Sequence, residues 1–292
     1  MTEPSRRNSR LALAGGIAVA GALLGTGFVV GRGTAPDPSP LPAPSPAPAP
    51  APVATPSPQP VVQGPLGRAE LIAAAALAAD AAASGAPASP DVAALVGRRF
   101  ELRVPFGCSG PSAVVNTPLG WRLDEAAGTL RVRVQPVLWE PSAWVPLTEV
   151  ERVEAVEGFW IPRPWSTSTA CPPDAPVVAG AGDAPDEQTL AVAQFYATGG
   201  SRLNRRDGEA YQAVERVDPA SLDLSRGLVL RIAGQVTAAP GNGPVVCRSL
   251  GGGDRRPTCL LSVSFAEVAI ENPATGAVLA TWDMARGRAS GD

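Results

Sequence analysis

Five of the six tryptophans, Trp121, Trp139, Trp144, Trp160 and Trp165, fall within 45 residues of a 292-residue chain. Tryptophan is large, rigid and amphipathic, so rings standing on an exposed sheet face would stack on sugar rings or anchor a protein partner. On that reasoning Trp139, Trp144, Trp160 and Trp165, with Arg163 beside them, are the candidate binding residues. The competing reading puts the same rings in a core, with Pro141, Pro162 and Pro164 fixing loops over it. A second set is cationic. Arg202, Arg205 and Arg206 in one polar loop, and Arg255 and Arg256 in another, have the fork geometry that pairs a carboxylate or phosphate bidentately.

Catalytic chemistry has fewer carriers. The chain has no histidine and no lysine, which excludes Ser-His-Asp and Cys-His nucleophiles, lysine Schiff bases and the lysine of a phosphate loop. Gly107-Cys108-Ser109-Gly110 is the nearest approach to a nucleophile motif, and it has no base to serve it. Asp207, Glu209, Glu215 and Asp218 keep a carboxylate-dependent hydrolase as the alternative. The expectation is a protein with no catalysis of its own, no catalytic residue, no cofactor and no metal site. After Arg32 the sequence carries 20 arginines against 26 acidic residues, which argues against a nucleic-acid surface.

The four cysteines, Cys108, Cys171, Cys247 and Cys259, form no C-x-x-C pair and have no histidine to complete a tetrahedral zinc site. An even number of them beyond a membrane segment reads as two disulfides. Three pairings exist. The most local joins Cys247 to Cys259 across a glycine-rich loop and leaves Cys108 with Cys171.

Alternation supplies the elements that must position these residues. Phe100, Leu102, Val104 and Phe106 mark a half-buried strand. Trp121 and Leu123 face Leu130, Val132 and Val134 in a hairpin turning near Ala127-Gly128, with Arg131 and Arg133 on the opposite side. Further strand-like runs cover 150–161, 188–196, 211–217, 228–236, 259–270 and 277–282. Residues 98–284 therefore read as one mainly β domain, a single antiparallel sandwich or barrel, followed by a disordered tail over 285–292. Ahead of it, 67–97 reads as a helical stalk: an alanine-rich helix closed by Gly85, then a short helix begun by Ser89-Pro90-Asp91.

The N-terminal quarter sets the place. Residues 1–10 form a stub, and Leu11 to Gly31 is an uncharged run long enough to cross a bilayer as one helix. Arg6, Arg7 and Arg10 orient the stub to the cytoplasm and the rest to the periplasm of a bacterial inner membrane. The alternative is secretion after cleavage near Ala18-Val19-Ala20. The pairs Gly21/Gly25 and Gly27/Gly31 would allow a homodimer through the transmembrane helix. Residues 32–66 hold thirteen prolines and read as a disordered, extended spacer with a reach of roughly 3.1 Å per residue. This arrangement of stub, helix, spacer and outer domain resembles that of TonB-type transducers and other envelope-spanning scaffolds. The resemblance covers only the layout of the first ~65 residues, and it carries no residue role into the β domain. What it implies is a membrane-anchored periplasmic binding or scaffold protein with an envelope protein or glycan as partner; a purely structural tether is the third reading.

Overall fold

The computed structural model describes residues 64–114, 117–173, 188–202, 204–249, 255–284 and, as backbone only, 288–290. All of these belong to the compact unit Val61–Asp292; residues 1–63, with the expected transmembrane segment, its glycine pairs and nearly all of the spacer, lie outside the described residues. Among the described residues no helix is long and apolar enough to cross a membrane.

Helix α1, Arg68–Ser84, starts with the Glu70 carboxylate accepting the Gly67 backbone N–H at 3.0 Å and ends at Gly85, whose φ of 67° is the left-handed conformation expected there. Leu71, Ala75 and Ala79, spaced four apart on one face, are buried in the main core. The segment read as a stalk therefore lies against the β domain: alanine contributes little area alone, but its small side chain lets the helix sit close on the sheet. Leu66, placed at the spacer's end by the sequence, is also buried there, and its backbone bridges to Phe100. Helix α2, Pro90–Ala93, is capped by the Ser89 hydroxyl, which accepts from the Asp91 N–H.

The domain is mainly β, 41% strand against 14% helix, built from a curled nine-stranded sheet and a small second sheet. The large sheet runs β1 (Arg99–Phe106), β8 (Leu228–Val236), β10 (Thr258–Asn272), β6 (Leu190–Ala197), β5 (Val153–Trp160) and β4 (Val137–Trp139); β9 (Val245–Arg248) and β11 (Ala277–Asp283) also pair with β10, and β12 (Arg288–Ser290) pairs with β11. The small sheet is the hairpin β2 (Leu119–Asp124) and β3 (Thr129–Val134) with β7 (Tyr211–Arg216) added antiparallel to β3. Two expectations change. The large sheet is mixed, because β6 runs parallel to β10 in the register Cys259 to Leu190. Part of the tail expected to be disordered adds a strand instead, Arg288–Ser290 pairing with Thr281–Asp283.

Strand β10 explains the curl. Its first half pairs with β9 and β6, its second with β8 and β11. A register shift between Phe265 and Glu267 separates the halves. An extra residue flips the alternation, so Cys259, Leu261, Val263 and Phe265 enter the main core before it, and Val268 and Ile270 after it. At the corner the Gln194 side chain takes the place of a ladder partner, accepting the Phe265 N–H at 2.9 Å. Between the sheets Tyr211 meets Phe159 at 5.9 Å in a tilted contact and Trp282 at 5.1 Å edge to face, and within the large sheet Phe159 also meets Phe265 edge to face at 5.9 Å. A second, smaller cluster covers the other face of β5, β6 and β10, with Val156, Ala191, Ala193 and Leu260 beneath Trp144 and Val145.

Both disulfides form as the most local pairing had it: Cys108 with Cys171, and Cys247 with Cys259, which stand directly opposite on β9 and β10.

Candidate functional site

The tryptophans do not gather into one surface. Trp139, at the end of edge strand β4, and Trp160, at the end of β5, meet edge to face at 5.2 Å and lie half-buried over the smaller cluster. Trp144 closes a short 3-10 turn, Pro141–Ala143, and is only 5% exposed, filling that cluster rather than offering a ring face. Trp165 is 61% exposed and has no aromatic partner among the described residues. Its turn is held from helix α1. The buried Arg68 guanidinium donates to the carbonyls of Pro162, Arg163 (3.0 Å) and Ser166 (2.8 Å), while Arg163, with a φ of 49°, donates to the Ala170 carbonyl at 2.9 Å. Trp121 lies in the main core, its indole N–H reaching the Gly107 carbonyl at 3.3 Å.

Two cations of the arginine loop have carboxylate partners, on β5 and in the loop itself. Arg202 and Arg205 both pair with Glu154, and Arg205 also pairs with Asp207. The Arg206 guanidinium donates to the Ala210 carbonyl at 3.0 Å and sits 4.8 Å above the Tyr211 ring. Under this loop lies Glu157, 3% exposed, whose Oε2 accepts the backbone N–H groups of Arg206 at 3.2 Å and Asp207 at 3.0 Å. Burial raises its carboxyl above the ordinary value, and the backbone donors only partly oppose that. Tyr196, whose hydroxyl donates to the Asn204 carbonyl, and Tyr211 are likewise pushed up, first by burial and then by the nearby Glu157 charge. Of the carboxylates that keep a hydrolase as the alternative, Asp207 pairs with Arg205. Asp218 accepts from Ala220 in its own turn, and Glu209 and Glu215 are roughly 20 Å apart along an extended chain.

A different surface holds unpaired charge. The register of the small sheet aligns Gly120, Arg133 and Gln212 in one row, Arg122, Arg131 and Val214 in the next, and Asp124, Thr129 and Arg216 in the third, all on the face turned away from the core. Arg122 and Arg131 are exposed and directly opposite, a placement that destabilises a sheet when the charges are alike. Among the described residues no carboxylate pairs with Arg122, Arg131, Arg133 or Arg216; the one acid of the face, Asp124, accepts from Ala127 in the hairpin turn. The loop after β1 rises beside this face, tied by the Ser112 N–H to the Trp121 carbonyl at 2.8 Å. It closes a groove of about 460 Å³ between Ser112, Thr117, the three arginines and Gln212. Arg133 is oriented by Gln135 at 2.8 Å, which in turn donates to the Gly208 carbonyl at 3.0 Å.

The sequence singled out none of these arginines as ligand-binding. The available signal was the alternation that sends Arg131 and Arg133 away from Leu130, Val132 and Val134. That alternation gives direction, not what stands across the next strand. The chain matches no protein-family model, no curated protein and no solved structure.

Proposed function

We propose that this chain is a binding or scaffold protein of the bacterial envelope. In this reading Leu11 to Gly31 anchors it in the inner membrane with its first ten residues in the cytoplasm, the proline-rich segment spaces it from the bilayer, and the β domain works in the periplasm as a recognition module without catalysis of its own.

The observation that carries the reading is the pairing of all four cysteines. Disulfides persist in oxidising compartments, and every cysteine follows the apolar run while Arg6, Arg7 and Arg10 precede it. Recognition is favoured over hydrolysis by what the carboxyl raised by burial is doing: Glu157 is occupied with the backbone of a turn, and burial leaves it little access to a substrate. A reporter that folds only in an oxidising compartment, fused after Asp292, is expected to be active. Activity there of a reporter that works only in the cytoplasm would overturn the placement.

A further inference from the structure

We infer that the groove on the outward face of the β2-β3-β7 sheet binds a small multivalent anion, a ligand bearing at least two carboxylate or phosphate groups. The inference rests on the reading of the domain as a recognition module and names the chemistry of its ligand.

Charge accounting within the domain makes the first argument. On the outward face of β1, β8 and β10 the two central cations are matched: Arg103 meets Glu271 at 2.6 Å, and Arg231 meets Glu267 at 2.6 Å and Glu271 at 2.5 Å, while Arg99, at the exposed start of β1, has no carboxylate partner among the described residues. Arg202 and Arg205 are matched in their loop. Acidic residues outnumber arginines after Arg32, so the chain has no shortage of partners. Yet the face of the small sheet gathers Arg122, Arg131, Arg133 and Arg216 around Asp124 alone, with two of the arginines directly opposed. A repulsive pair kept on an otherwise ordinary sheet is relieved when an anion bridges it.

Geometry supplies the second. The face is walled into a groove of about 460 Å³, within the range of small-ligand sites. Ser112 brings a hydroxyl and Gln212 an amide to the same space, while the Thr117 hydroxyl donates to the Val114 carbonyl at 3.0 Å. Gln135 accepts from Arg133 Nη2 at 2.8 Å and so orients this guanidinium before any ligand arrives, while Arg133 Nε is buried and has no acceptor among the described residues. Directly opposed positions stand roughly 5 Å apart, and successive positions on one face of a strand roughly 7 Å. Three forks offer six N–H donors, more than the four or so lone-pair sites of a single carboxylate, so two or more anionic groups on one molecule use them more fully. Because every cation is arginine, each fork offers two parallel N–H bonds to a carboxylate or phosphate.

The test uses the full-length chain, titrated by calorimetry with inorganic pyrophosphate and, separately, with tetragalacturonate; acetate and neutral maltotetraose are the controls. One or both multivalent anions are expected to bind, which distinguishes a phosphate from a carboxylate source, and affinity should fall as salt rises from ~0.05 to ~0.5 M. Arg122→Gln and Arg131→Gln should each weaken binding by about tenfold or more, while Arg152→Gln, an exposed arginine elsewhere, should leave it unchanged. Thermal melting provides a readout that misfolding would not mimic. Without ligand, Arg131→Gln should melt at or above the wild-type temperature because a repulsive pair is gone, and it should lose most of the ligand-induced rise, about 5 °C or more at a hundredfold excess over Kd for wild type. Binding of neither probe, binding that survives both substitutions, or an equal loss in Arg152→Gln would overturn the inference. Such a failure would leave the envelope placement intact, since that depends on the reporter fusion and the disulfides.

Discussion

Replacing Glu157 by alanine isolates what holds the 201–210 loop in place. The carboxylate is buried and accepts the N–H groups of Arg206 and Asp207. Asp207 itself is in the left-handed region at φ 55°, a conformation that costs a non-glycine residue energy unless its surroundings impose it. Removing the acceptor strands two backbone donors, at about 1–3 kcal/mol each. One donor lies near the surface and regains water, so the net expectation is a loss of about 2–4 kcal/mol. In a domain of this size that is about 5–15 °C in melting temperature. Glu157→Gln keeps an acceptor oxygen and removes the charge, and its behaviour with pH has a definite sign. The carboxyl is raised in the folded state above its ordinary 4.5, so its favourable contribution is complete below about that pH and is lost as pH rises through the folded value. The glutamine variant should therefore gain on wild type as pH rises above about 4.5, and the gap should close on acidification. Denaturant unfolding at several pH values measures this, and trypsin cleavage after Arg202, Arg205 and Arg206 reports the loop directly. An alanine variant within 1 kcal/mol of wild type, with these arginines cut no faster, would refute the reasoning.

Three further outcomes follow from the packing. Removing Cys108–Cys171 and Cys247–Cys259 separately, as paired serine variants, should cost about 4 and about 3 kcal/mol in the loop-closure account, since the bridges span 63 and 12 residues; midpoints in denaturant check the order. Trp144→Ala should cost about 3–5 kcal/mol by emptying the smaller cluster, whereas Trp165→Ala, being largely exposed, should stay within about 0.5 kcal/mol; comparing their melting curves tests the division. Arg231→Ala breaks partly buried pairs with Glu267 and Glu271 and should lower stability by about 1–2 kcal/mol, a difference that shrinks in high salt.

What could be read from the sequence follows physical range. Strands long enough to show alternation were legible: β1, the β2-β3 hairpin, and β8, where Leu228, Leu230 and Ile232 repeat every second residue. Strands β4, β9 and β12 span three or four residues, too few for a period to register. The parallel pairing of β6 with β10 was not legible because it joins segments some seventy residues apart, with no crossover helix to announce it. The tryptophan cluster was a fact of composition, and composition has no direction. Trp144 turns inward because the small residues Ala191 and Ala193 on β6 leave a hollow for it, which depends on a strand nearly fifty positions away.

The arginines expose the same boundary from the other side. Alternation alone sent Arg131 and Arg133 outward, and it sent Arg103 and Arg231 outward on equal terms. Only the register separates the two cases. In the large sheet the bulge in β10 restores the phase that turns Val268 and Ile270 inward, and the same step sets Glu267 and Glu271 outward against the cations of β1 and β8. The small sheet has no such acidic strand. β7 contributes Gln212, Val214 and Arg216 to the outward face, while its one acid, Glu215, lies on the inward side of the alternation. A shift of one residue in β7 would bring Glu215 beside Arg131 and put Arg216 into the core. The aromatic contacts of Tyr211 with Phe159 and Trp282 forbid that shift, so the packing that fixes the core is also what leaves the outer arginines unpaired.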